Sequence, residues 1–183
     1  MLRKILIGAA GVILVLVVVI ATRPSEFHVE RSIEIAAPPE RGYVLVIDFH
    51  QWTLWSPYEK RDPEMKRTYD GAASGTGAKY AWQGNKEIGE GRMTIERSDP
   101  SLVSIKLEFI KPFAATNTAT FTFTPTGSGT KATWAMDGDC GFLAKAMHLV
   151  MDMDKMVGTD FERGLTAMKA EAERANTGAS ARK

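Results

Sequence analysis

From Phe27 to Ala36 the chain alternates, with Phe27, Val29, Ile33 and Ile35 on one side and His28, Glu30, Ser32 and Glu34 on the other. A period of two is the signature of a half-buried β-strand. Pro38-Pro39 closes it and opens a predicted helix through about Asp48, because proline suits a first helical turn. His50 to Pro63 is irregular and aromatic-rich, with Trp52, Trp55 and Tyr58 forming either a lid over a cavity mouth or a plug in the core. Further strands are predicted over Met65–Tyr69, Ala78–Gln83, Gly89–Arg97, Leu102–Ile110, Thr116–Thr124 and Lys131–Asp137. Asp70-Gly71, Gly84-Asn85, Asp99-Pro100, Lys111-Pro112 and Gly127-Ser128-Gly129 separate them, and connections this short imply antiparallel neighbours.

Periodicity changes after Phe142. Leu143, Met147, Val150, Met153, Val157, Phe161, Leu165 and Met168 recur at three- and four-residue spacings, one apolar stripe of a helix reaching about Ala175. Gly158-Thr159 interrupts the stripe, and Thr159-x-x-Glu162 reads as a capping box, so a kink or break is expected there. A polar tail over 176–183 is expected to be disordered.

At the other end, Ile5 to Ala21 contains no charged side chain. A helix of that length spans about 26–30 Å, close to the hydrocarbon thickness of a bilayer. The expected organisation is therefore a transmembrane anchor over 1–22, a linker over 23–26, a domain over 27–175 and the tail. Arg3 and Lys4 precede the run, which favours a cytoplasmic N-terminus and an extracytoplasmic domain. A cleaved signal peptide, giving a secreted domain, is the alternative.

Composition narrows the chemistry. Net charge is +1 without a basic cluster, which leaves a nucleic-acid partner without electrostatic support. The single cysteine, Cys140, excludes an intrachain disulfide and a multi-cysteine zinc site. No phosphate loop, dinucleotide fingerprint or nucleophile elbow is present, and no cofactor is called for. His148 and Asp152 stand four apart on the predicted helix, but a metal needs further ligands. Asp137, Asp139 and His148 are the acid–base candidates.

Strand parity assigns a face. Tyr80, Trp82, Met93, Ile95, Val103, Ile105, Leu107, Phe109, Phe121, Phe123, Trp134 and Met136 share the parity expected to look towards the helix. Of these, Trp82, Met93, Leu107, Phe109, Phe121 and Trp134, with Met147 from the helix, are the candidate lining of a ligand cavity. Arg31 and Asn117 fall on the same face. Each is a candidate polar contact for a ligand, or else satisfied by a carboxylate at the sheet edge (Arg31) or by backbone at a bulge (Asn117).

Several segments resemble one superfamily. Pro38-Pro39-Glu40, Trp52-x-x-Trp55-Ser56-Pro57, Trp82-x-Gly84-Asn85, Gly89-x-Gly91-x-Met93, Lys111-Pro112-Phe113 and Trp134-x-Met136 are similar to segments of the SRPBCC (START-like) superfamily, in its polyketide cyclase/dehydratase-like branch. So is the closing stretch from Met151 to Leu165. The resemblance implies an α+β helix-grip fold: a curved seven-stranded antiparallel sheet around a long C-terminal helix. It also implies binding of a small hydrophobic or amphipathic ligand, lipid-like or polyketide-like, without assigning a catalytic residue. A cyclase or dehydratase enzyme, or an interaction or stress-related domain with a filled core, are the alternatives.

Overall fold

The computed structural model describes residues 2–22, 25–139, 145 and 152–180. Helix α1 (Leu2–Ala21) precedes β1 (Glu26–Ile35), α2 (Pro39–Ile47), a 3-10 turn (Phe49–Gln51) and the short α3 (Trp52–Trp55). Six strands follow: β2 (Lys66–Gly71), β3 (Ala78–Gln83), β4 (Glu90–Asp99), β5 (Leu102–Lys111), β6 (Ala115–Thr126) and β7 (Gly129–Asp139). Helix α4 (Met153–Ser180) closes the described chain.

All seven strands form one antiparallel sheet in the order β1-β7-β6-β5-β4-β3-β2. Every connection from β2 onwards joins neighbours, as the short turns require. The longer path through α2 and α3 carries the chain from one edge of the sheet to the other. A register shift between Ile95 and Arg97 in β4 marks a bulge that the alternation does not announce. The predicted parity holds: Tyr80, Met93, Ile95, Val103, Ile105, Phe121, Phe123, Trp134 and Met136 are buried in one core with Phe161, Leu165 and Met168 of α4. This is the helix-grip arrangement.

The tryptophan-rich segment acts as a plug. The Trp55 indole donates to the Leu45 carbonyl at 2.9 Å, and that of Trp52 to the Val46 carbonyl at 3.0 Å. Those carbonyls belong to the last turn of α2, where the helix itself offers no donors. Two large aromatic bodies are thereby buried while their N–H groups end a helix.

Two expectations about α4 are corrected. The helix runs unbroken through Gly158 and Thr159. Thr159 makes no cap; its hydroxyl donates back to the Lys155 carbonyl at 2.6 Å. Burial of Val157 and Phe161 on either side of these residues holds the turn against the sheet. Helix also persists past Ala175 to Ser180, where disorder was expected, and Asn176 Nδ2 donates to the Ala36 carbonyl at 3.3 Å.

The transmembrane expectation meets a different outcome. Among the described residues no helix is long and apolar enough to cross a membrane. In α1 the side chains from Ile13 to Val19 are all exposed.

Candidate functional site

The register draws transverse rows across the concave face. One runs Tyr80, Met93, Leu107, Asn117, Gly138 and Phe27, from β3 to β1. The next, nearer the β5–β6 turn, runs Trp82, Gly91, Phe109 and Ala115. Rows on the inner side of Asn117 are solidly filled. Trp134 stacks on Phe161 at 4.0 Å and on Phe121 at 4.9 Å, and both Trp134 and Phe121 meet Trp55 edge-on. Of the predicted lining, Phe121 and Trp134 therefore sit in packed core.

The outer rows differ. Trp82, Leu107 and Phe109 are only half-buried, and Ile110 and Phe113 at the adjoining turn are exposed. The Trp82 ring lies flat over Gly91, where a Cβ would stand 2.4 Å from it. Its indole donates to the Ile88 carbonyl at 3.3 Å, and Phe109 approaches it edge-on at 6.0 Å. Met93 lies beneath, buried. Trp82, Met93, Leu107, Phe109 and Asn117 are thus brought together at one end of the concave face. Met147, His148 and Cys140 lie outside the described residues.

Arg31 is committed elsewhere. Its guanidinium binds the Asp154 carboxylate at 2.9 Å and the Glu162 carboxylate at 2.9 Å, joining β1 to α4. Those hydrogen bonds, Asp154's first and then Glu162's, hold Arg31 well above its ordinary pKa. Asn117 has no such partner. It is buried, and among the described residues its Nδ2 reaches only the Met136 sulfur at 3.8 Å and its Oδ1 accepts no hydrogen bond. No backbone donor at a bulge serves it.

The acid–base candidates that are described do not face this space. Asp137 pairs with His28 Nδ1 at 2.7 Å on the opposite face, both more than half exposed, and Asp139 is exposed. A protic cluster that the sequence reading did not single out does face inward. Glu59, buried, accepts from Tyr80 Oη at 2.7 Å and from Arg67 Nε at 2.7 Å. Burial, with the Glu59 carboxylate beside it, pushes the Tyr80 phenol up, so it stays protonated. Only the contact across about twenty residues reveals this cluster, since Glu59 lies in an irregular segment without periodicity.

A separate depression of about 160 Å³ lies beside edge strand β2, lined by Phe49, His50, Tyr69, Asp70 and Lys79 among others. Ligand cavities usually measure about 300–1,000 Å³, so this one suits only a few atoms. Among the described residues no cluster is suited to a metal ion.

A curved antiparallel sheet gripping one helix, filled at its centre and half-buried at one end, defines a START-like helix-grip domain. The chain belongs to the family described as polyketide cyclase/dehydrase and lipid transport, whose profile matches residues 26–173. A search of curated protein sequences finds no match. Among solved structures, protein SA2116 of Staphylococcus aureus, of unknown function, is similar at 16% identity and TM-score 0.61, covering 83% of this chain and 96% of its own. Protein CV1439 of Chromobacterium violaceum is similar at 15% identity and TM-score 0.56, covering 82% and 99%. The di-domain aromatase/cyclase StfQ of the steffimycin biosynthetic pathway is similar at 12% identity and TM-score 0.60, with 83% of this chain matching 52% of StfQ. At these identities the likeness is one of fold.

Proposed function

We propose that this domain binds a small hydrophobic or amphipathic ligand, lipid-like or polyketide-like, between its sheet and the C-terminal helix. The observation that carries the reading is the half-buried outer end of the concave face, where Trp82, Leu107 and Phe109 remain partly accessible beside a filled core. A family whose description joins cyclases with lipid transport supports it. We further propose that residues 5–21 tether the domain to a membrane, N-terminus inside and domain extracytoplasmic. Support comes from the uncharged run Ile5–Ala21 and the exposed apolar side chains of α1.

Native mass spectrometry of the full chain recovered from membranes, followed by organic extraction, tests both parts. A co-purifying lipid-like or polyketide-like compound on the intact chain is the expected result. A chain shortened at its N-terminus removes the tether. An empty domain that also takes up no added apolar probe removes the binding reading. A cyclase-type activity is the second reading, favoured by the buried Glu59–Tyr80–Arg67 cluster, since protonated Tyr80 stands in the same row as Met93 and Leu107. Turnover of an added polyketide-like substrate that Tyr80→Phe abolishes, with ligand uptake intact, would select it.

A further inference from the structure

Asn117 occupies the boundary between the filled and half-buried parts of the concave face. Towards the core its strand continues with Ala119, Phe121 and Phe123, all buried. Leu107 and Phe27, in its own row, are partly buried. Across the sheet stands Gly138, and a Cβ there would lie 2.2 Å from Asn117 Oδ1. The glycine is what lets the amide lie flat over the neighbouring strand. In that position Asn117 is 7% exposed, and among the described residues its Oδ1 has no hydrogen-bond partner and its Nδ2 has only a thioether at 3.8 Å. A buried carbonyl left unpaired destabilises a fold, and a leucine of similar volume would carry no such cost.

We propose that Asn117 recognises a neutral hydroxyl group, alcoholic or phenolic, on an otherwise apolar ligand. The inference rests on the binding reading above and adds the ligand's chemical class. A hydroxyl donates to Oδ1 and accepts from Nδ2, satisfying both halves of one amide. A carboxylate or phosphate only accepts, so it would leave Oδ1 unpaired and set against negative charge. The cations that share this face are neutralised, Arg31 by Asp154 and Glu162 and Arg67, opposite Trp82 in β2, by Glu59 at 2.7 Å. An ammonium group fares no better, because the inward carboxylate of Glu59 is held by Arg67 and Tyr80. The polar end of the ligand is therefore uncharged and both gives and takes a hydrogen bond.

The test compares 2-naphthol, naphthalene and 2-naphthoate on the full chain, by calorimetry or fluorescence against a detergent-only blank. The hydroxylated probe is expected to bind about tenfold more tightly than the other two. In Asn117→Leu its affinity falls to that of naphthalene, naphthalene binds as before, and the unfolding midpoint is unchanged or higher. Equal affinities for the three probes in the parent protein would overturn the inference while leaving ligand binding intact, and this comparison does not depend on the variant folding. A preference that survives Asn117→Leu also overturns it. If none of the three binds, the binding reading falls and takes this inference with it.

Discussion

At the scale of single residues, Arg31 and Gly158 define each other. Glycine inside a helix ordinarily costs about 1 kcal/mol relative to alanine. Here it is retained where the Arg31 guanidinium crosses the helix: a Cβ on Gly158 would stand 2.1 Å from Nη2 and 2.3 Å from Cζ. Gly158→Ala is therefore expected to destabilise the domain, because the guanidinium must leave Asp154 and Glu162 to make room. In an Arg31→Ala background the same change should stabilise by about 1 kcal/mol, the ordinary helix gain. Urea unfolding of the four proteins of this cycle measures the sign reversal. A gain in both backgrounds would show that the close approach is not what keeps glycine there.

Among the elements, α4 is strapped to β1 by groups far apart in sequence. Arg31 binds Asp154 and Glu162, Lys169 Nζ donates to the Glu34 carbonyl at 2.6 Å, and the Ala36 N–H donates to Glu173 at 2.7 Å. Arg31 holds the Asp154 carboxyl below its usual range, and the Ala36 N–H does the same for Glu173. A depressed folded value means the straps contribute fully above the ordinary carboxylate pKa of about 4 and are lost as pH falls through the folded values. Unfolding midpoints should accordingly be flat from pH 6 to 8 and drop below about pH 4. Arg31→Gln and Glu173→Gln are each expected to shallow that acid limb. An unaltered limb in both would place its origin in other carboxylates, such as Glu108, held down to about 2 by Arg92 and Lys106.

For the molecule as a whole, the exposure of α1 marks it as separable from the helix-grip domain. Side chains from Ile13 to Val19 are exposed rather than packed on the sheet or on α4. Deleting residues 1–22 should leave the unfolding midpoint of the domain unchanged and move the protein from the membrane pellet to the supernatant. Calorimetry and fractionation read the two outcomes independently. A lowered midpoint would mean that α1 packs on the domain, and no change in fractionation would remove the tether.

The linear sequence determined the seven strands, the two-residue parity of the concave face and the apolar stripe of α4, because alternation, turn residues and helical spacing are all local. It determined the family for the same reason, through short segments such as Trp52-x-x-Trp55 and Trp82-x-Gly84-Asn85. What happens between sheet and helix was left to tertiary structure. Parity placed Phe121 and Leu107 on one face, but only packing decided that Phe121 is locked against Trp55 and Trp134 while Leu107 stays half-buried. Thr159-x-x-Glu162 read locally as a cap. Yet Arg31, more than 120 positions away, takes Glu162 and lies over Gly158, and the helix continues. Arg31 and Asn117 looked equivalent as polar residues on an apolar face, and three dimensions separated them. One met two carboxylates across the sheet edge, and the other met a glycine and a sulfur atom. Propensity and periodicity act over a few residues, whereas whether a buried polar group is satisfied depends on partners that only the closed fold brings within hydrogen-bonding distance.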